Sequence, residues 1–225
     1  MQQKMALMEK LADAKRMESL GLMASSVAHD LNNIMAGIIT YPELLLMDLG
    51  TDFKYREELM MIREAGKRAA AVVNDLLTVA RGATCKKETQ DVNALISEYL
   101  NSVEYRELCQ RYPQVKLTPY LESKLKHIDC SAIHLSKSIM NLVNNAAEAL
   151  QSCGQIILAT KNTQLTTPYQ GYETIEPGEY VVISVEDDGP GISSQDIQQI
   201  FSPFYSKKVM GRSGTGLGLA VVWNT

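Results

Sequence analysis

Residues 180–191 read YVVISVEDDGPG. The first part is rich in β-branched side chains and tyrosine, the composition of a strand. It runs into Asp187 and Asp188 and then into Gly189, Pro190 and Gly191, which end the strand in a turn. A second glycine-rich stretch, 211–219, reads GRSGTGLGL and leads into an apolar run, 217–223, that reads as the start of a helix. Glycines let backbone N–H groups approach phosphate oxygens closely, and a following helix N-terminus adds partial positive charge there. Neither stretch is a Walker A or dinucleotide fingerprint, because GKS or GKT and the βαβ context are absent. One glycine cluster can simply build a turn. Two of them about 25 residues apart, one after a strand and one before a helix, point further toward a phosphate-bearing ligand.

Upstream lies a helix read over 131–151, with Ser131 as a candidate cap and Gly154 as the stop. Within it Asn141, Asn145 and Glu148 are spaced i, i+4, i+7 and share one face. Leu142, Val143, Ala146 and Ala149 cover another. Asparagine is a mediocre helix former, so three within five residues need a reason. A solvated polar face is one. A set of neutral oxygen ligands for Mg²⁺, completed by phosphates and water, is the other. Around this helix the chain reads as an α/β unit. Asp91 caps a short helix over 91–100, strands cover 115–121, 126–129, 155–161 and 180–186, and a long polar excursion spans 162–178. Residues 189–214 read as irregular, with a short helix near 194–200. The polar, glycine-bearing segment 82–90 marks a boundary, dividing the chain into 1–84 and 89–225.

The N-terminal part reads as a helical hairpin. Leu20, Ala24, Val27, Leu31, Ile34 and Ile38 are spaced 4, 3, 4, 3, 4, a heptad seam. Pro42 is expected to kink or break this helix, and Gly50 to stop it. A second helix runs from about Tyr55 to Arg81, with Leu59, Ile62, Gly66, Ala69, Val73, Leu76 and Ala80 again spaced by threes and fours. The short turn at 49–54 makes the two antiparallel neighbours. Two such helices leave much of their seams exposed, which predicts a homodimer with a four-helix bundle. With Val27 and Leu31 in the core, His29 falls at the outermost heptad position. There it adds nothing to the core and its ring nitrogens are free to react or titrate. Asn33 shares its face one turn on.

Composition narrows the classes. The 225 residues are 45% hydrophobic and 21% charged, ordinary for a globular chain. Lys+Arg total 22 against Asp+Glu 26, a net charge of −4, which argues against sequence-independent binding of nucleic acid. No apolar run is long enough to span a membrane, and the charged start is not a signal peptide. Cys85, Cys109, Cys130 and Cys153 stand apart without a CxxC pair and read as reduced thiols of a cytoplasmic segment.

In this order the pieces resemble a sensor histidine kinase of two-component signalling, over about residues 15–225. His29-Asp30-Leu31-Asn32-Asn33 resembles the H box, Asn141–Ala149 the N box, Asp187–Gly191 the G1 box, 200–208 the F box and Gly214–Leu219 the G2 box. The resemblance implies an α+β chain, with a dimerisation and phosphotransfer hairpin followed by a Bergerat-type ATP-binding domain. It implies ATP and Mg²⁺ as ligands and a response regulator receiver domain as partner. His29 would be the phosphoacceptor, Asp30 the group that orients it, and Asn33 the residue that orients a water during dephosphorylation. Asp187 would accept from the adenine amino group, Asn145 would ligate Mg²⁺ with Glu148 helping through water, and Asn141 would line the phosphates. Gly189, Gly191, Gly214, Gly216, Leu217 and Gly218 would form the glycine segments over the nucleotide. Lys208, with Lys207 beside it, would meet a phosphate, and Phe201, Phe204 and Tyr205 would pack.

Two other classes share the fold. Chaperone, topoisomerase and mismatch-repair ATPases carry a glutamate four residues before the magnesium asparagine. Here that position is Asn141, a poor base. A dimeric scaffold that has lost catalysis is the other alternative. The chain stops one or two turns into the helix after the G2 box, where the family continues through a further strand pair. A weakened nucleotide domain is therefore expected, while the full-length protein's membrane anchoring stays open.

Overall fold

Two stretches with a helical period form the N-terminal unit. In the computed structural model, which describes residues 30–49, 53–81, 86–150, 152–206 and 215–225, helix α1 covers 30–48 and α2 covers Arg56–Arg81. Gly66 marks one close approach between them. A Cβ built there would stand 2.9 Å from Ile39 Cγ1 and 3.0 Å from Ile38 Cγ2. Asn32 Nδ2 donates to Asn74 Oδ1 at 3.5 Å and Arg56 Nη1 to the Leu46 carbonyl at 3.4 Å, so the antiparallel pairing expected from the short turn is present. Of the kink or break expected at Pro42, the break is absent. Proline removes one backbone donor, but its ring here is buried and α1 continues through it, with Leu49 N bonded to Leu45 O at 2.9 Å beyond. Gly50, the expected stop, lies outside the described residues.

α1 carries two apolar stripes. Leu31, Met35, Ile39, Pro42 and Leu46 are half-buried or buried, while Ile34, Ile38, Tyr41 and Leu45 are exposed.

The second unit begins at β1 (Glu88–Gln90) and α3 (Val92–Leu100), with Asp91 accepting from Asn93 N and Ala94 N as the cap. An unanticipated helix follows, α4 (Val103–Arg111), with Ser102 as its cap. Then come β2 (Val115–Leu121), β3 (Ile128–Cys130), α5 (Ala132–Leu150) and β4 (Gly154–Leu165). Next are β5 (Tyr169–Gln170), β6 (Thr174–Ile175), β7 (Gly178–Asp187), α6 (Ser194–Ile197) and α7 (Gly218–Trp223). The main sheet has the order β2-β4-β7, with β2 and β4 parallel through the α5 crossover and β4 and β7 antiparallel. β1 pairs with β3, and the polar excursion is a long hairpin closed by the β5–β6 pair. Pro119 is tolerated because β2 is an edge strand.

Alternation along β4 turns Ile156, Leu158 and Thr160 inward. Val92 and Ile96 of α3 and Ile139, Val143 and Ala147 of α5 complete the core, all at most 1% exposed. Each large apolar side chain so buried contributes roughly 1.5–3 kcal/mol. Thr160 is satisfied, donating to Asn93 Oδ1 at 2.9 Å and accepting from Glu122 N at 3.1 Å. The Tyr99 hydroxyl is buried with no hydrogen-bond partner among the described residues, and burial pushes its pKa up. Tyr105, edge-on to it at 5.6 Å, is pushed up to about 12 by burial and by its hydrogen bond with Cys109. Cys109, Cys130 and Cys153 are free thiols.

Candidate functional site

Helix α5 is the spine of the site. Ile139, Val143, Ala146 and Ala147 recur with the helical period and are buried, which fixes the helix's rotation. Asn141, Asn145 and Glu148 then line an adjoining, half-buried face. Two glycine-bearing segments meet this helix. At one end Asn141 Nδ2 donates to the Gly218 carbonyl at 3.1 Å, across 77 residues of sequence. At the other, a Cβ built on Gly189 would lie 3.4 Å from Ala149 Cβ. From 141 to 149 the helix rises about 12 Å. Asn145 and Glu148 lie between the two contacts, and the Asn145 amide makes no hydrogen bond among the described residues.

Asp187 is the exposed last residue of β7, and its Oδ1 accepts from Gly189 N at 3.0 Å in an Asx-type turn. A Cβ on Gly189 would sit 2.6 Å from that oxygen, so glycine is what permits the turn. Gly191 and Gly216 have φ of 74° and 67°, left-handed values that disfavour other residues. Asp188 is exposed but bonded: its Oδ1 accepts from Gln155 N at 2.8 Å and ties the turn to β4. Thr215 Oγ1 accepts from Leu217 N at 3.2 Å, and Leu217 is buried.

Of the three F-box aromatics expected to pack, Phe201 does so, Tyr205 is held by a hydrogen bond and Phe204 is exposed. Phe201 packs on Trp223 at 4.9 Å between centroids. Tyr205 donates its hydroxyl to Asp196 Oδ1 at 2.6 Å, and Asp196 Oδ2 takes the Ser193 hydroxyl at 2.5 Å. Phe204 is 63% exposed with φ of 66°, so it is a turn residue and not a packing group. Asp30 opens the described part of α1 and Asn33 follows, both exposed. His29, Lys207, Lys208 and Gly214 lie outside the described residues. Tyr172, Asp188 and Asp196 were not singled out from sequence as structural groups. The tyrosines flanking Gly171 in a polar stretch were the one signal for the first.

The family model for the His Kinase A (phospho-acceptor) domain matches residues 19–85. The model for the histidine kinase-, DNA gyrase B- and HSP90-like ATPase matches residues 130–224. Together they bracket the hairpin and the α5–α7 site in the order in which the site is built. The chain belongs to the sensor histidine kinases. It is 30% identical to the sensor kinase CckA of Brucella abortus (strain 2308), over 97% of this chain and 23% of that protein. To the sensor histidine kinase ZraS of Klebsiella oxytoca it is 31% identical, over 97% of this chain and 43% of that protein. The chain thus spans less than half the length of these two relatives. Among solved structures, full-length ShkA in complex with AMPPNP has a TM-score of 0.66 at 21% identity, covering 91% of this chain and 40% of that one. Histidine kinase ThkA, solved in complex with response regulator protein TrrA, has a TM-score of 0.51 at 21% identity, covering 89% and 55%. Both show that this sensor histidine kinase shares their fold: a helical phosphoacceptor region followed by an α/β ATPase-type domain.

Proposed function

We propose that the chain is an ATP-dependent protein-histidine kinase core that phosphorylates His29 and passes the phosphoryl group to an aspartate on a response regulator receiver domain. The observation that supports this most is the convergence of two glycine segments on α5, at Asn141 and at Ala149, with Asn145 and Glu148 between them. Residues 1–84 are then the dimerisation and phosphotransfer region and 89–225 the ATP-binding domain.

Asp187, aimed by the Gly189 N–H, accepts from the adenine amino group. Asn141, Lys208 and the backbone of Gly214, Gly216, Leu217 and Gly218 meet the phosphates, while Gly191 shapes the turn beneath the base. Asn145 offers a neutral amide oxygen beside the carboxylate of Glu148, a donor set suited to Mg²⁺. When bound, Mg²⁺ offsets negative charge on the transferring phosphoryl group. A neutral ring nitrogen of His29 attacks the γ-phosphorus. The N–P bond forms as the bond to the ADP oxygen breaks, and Asp30 takes the proton on the other nitrogen. The aspartate of the receiver domain then displaces the imidazole, and Asn33 orients water when the phosphorylated partner is hydrolysed.

The exposed stripe Ile34, Ile38, Tyr41 and Leu45, spaced 4, 3, 4, supports a homodimer through the hairpin. No helix among the described residues is long and apolar enough to cross a membrane. A cytoplasmic location for this segment goes with the proposed use of ATP and a receiver domain.

The test is incubation with γ-labelled ATP and Mg²⁺ beside His29→Gln. Acid-labile, base-stable label that disappears in the variant is the expected result. Label that survives His29→Gln refutes the phosphoacceptor. Phosphate release without labelling favours an ATPase, and neither activity favours the scaffold.

A further inference from the structure

The hairpin between β4 and β7 sends one side chain back to the site. Tyr172, in the turn between β5 and β6, lies edge-on to Phe201 at 5.0 Å and 75° and to Trp223 at 4.8 Å and 72°. Its hydroxyl donates to the Gln198 carbonyl at 3.3 Å. Phe201 and Trp223 also touch each other at 4.9 Å. Such ring pairs contribute beyond the area they bury. The three rings come from separate elements: the excursion, the stretch after α6, and the end of α7.

Trp223 is the last residue of α7 and Gly218 the first, about 7.5 Å apart along the helix. Ala220 and Val221 between them are fully buried. A short helix seated this way moves as a unit, so what holds Trp223 also holds Gly218 against Asn141. We propose that Tyr172 is a positioning residue for the nucleotide site. Its ring clamps the end of α7 to residues 198–201 and so fixes the glycine-bearing start of α7 relative to α5. This rests on the ATP-site reading above.

Trp223 is the only tryptophan in the chain, so its emission reports the cluster directly. The experiment measures AMPPNP–Mg²⁺ affinity and Trp223 emission for the whole chain, Tyr172→Ala and Tyr172→Phe. Tyr172 is 52% exposed, so its truncation leaves the core of the domain in place. The expected result for Tyr172→Ala is a red-shifted Trp223 emission and an affinity about tenfold weaker, equivalent to about 1.4 kcal/mol. Tyr172→Phe, which keeps the ring and loses only the bond to Gln198, restores both to within twofold. If Tyr172→Ala shifts the emission yet binds within twofold of wild type, the clamp has no hold on the site and the inference is overturned. It is overturned equally if Tyr172→Phe is as weak as Tyr172→Ala. A wild-type chain that binds no nucleotide removes the ATP-site reading itself, an outcome distinct from both.

Discussion

Replacing Gly189 with alanine separates folding from nucleotide recognition. The new Cβ would stand 2.6 Å from Asp187 Oδ1 and 3.4 Å from Ala149 Cβ. Ordinary contact requires about 3.5 Å, so the carboxylate must retreat by roughly 0.9 Å while the helix side needs little adjustment. The oxygen that moves is the end of an exposed, flexible side chain, and the hydrogen bond it forfeits is the 3.0 Å bond from Gly189 N. The Asp187 carboxylate is exposed and water takes over the lost bond, so the cost to stability is about 0.5–1.5 kcal/mol although the acceptor is charged. That corresponds to a few degrees in melting temperature for a domain of this size. Binding should suffer more. The displaced carboxylate is the proposed acceptor for the adenine amino group, and a hydrogen bond to a charged group is worth about 1.5–3 kcal/mol. The expected loss in ATP affinity is about 10- to 150-fold. Calorimetric titration with ATP and Mg²⁺, run beside thermal melts, reads the two effects separately. Asp187→Asn serves as the comparator with the acceptor itself altered. Gly191→Ala, where φ is 74° but no atom lies within 4 Å of the new Cβ, carries only backbone strain. The reasoning is refuted if Gly189→Ala binds ATP within threefold of wild type while Asp187→Asn does not.

Three further outcomes are expected. Gly66→Val drives branched atoms into Ile38 and Ile39, where α1 and α2 approach closely. It should destabilise the hairpin by about 1–3 kcal/mol, read as a lower helical melting temperature by circular dichroism. Leu158→Ala empties a fully buried position beneath α3 and α5. Its cost is about 2–5 kcal/mol, measured as a lower urea midpoint at unchanged slope. Burial raises the pKa of both Tyr99 and Tyr105, the latter to about 12 against an ordinary 10. In the window between those values the unfolded chain releases protons that the folded chain keeps, so stability is full below pH 10 and falls as pH rises toward 12. Tyr105→Phe should flatten that fall, and melts that are equally pH-sensitive in the variant would contradict it.

Much of the local structure was legible because its signals are short-range. Asp91 caps α3 as its side chain suggests, strand 115–121 has the bounds read for it, and α5 falls within a residue of the helix read over 131–151. The misses have equally local causes. α4 has no fully buried residue, and its apolar stripe is short, with half-buried Tyr105 and Leu108 set among charged neighbours. β5 and β6 are two residues each in polar surroundings, held by pairing across a turn and not by their own composition. Pro42 argues locally for a break, yet α1 continues with its ring buried.

For the site, sequence supplied the parts. The three residues on one face of α5 follow from a 3.6-residue period and the turn after Asp187 from its glycines, which need no knowledge of distant residues; the place of Asp187 in the site came with the family resemblance. Only the tertiary structure could decide what those parts meet. The bond from Asn141 to Gly218, the approach of Gly189 to Ala149 and the closing of Tyr172 on Phe201 and Trp223 join residues 29 to 77 positions apart. Such contacts depend on how the β2-β4-β7 sheet and its α5 crossover bring remote segments together, and no local pattern in the chain encodes that distance.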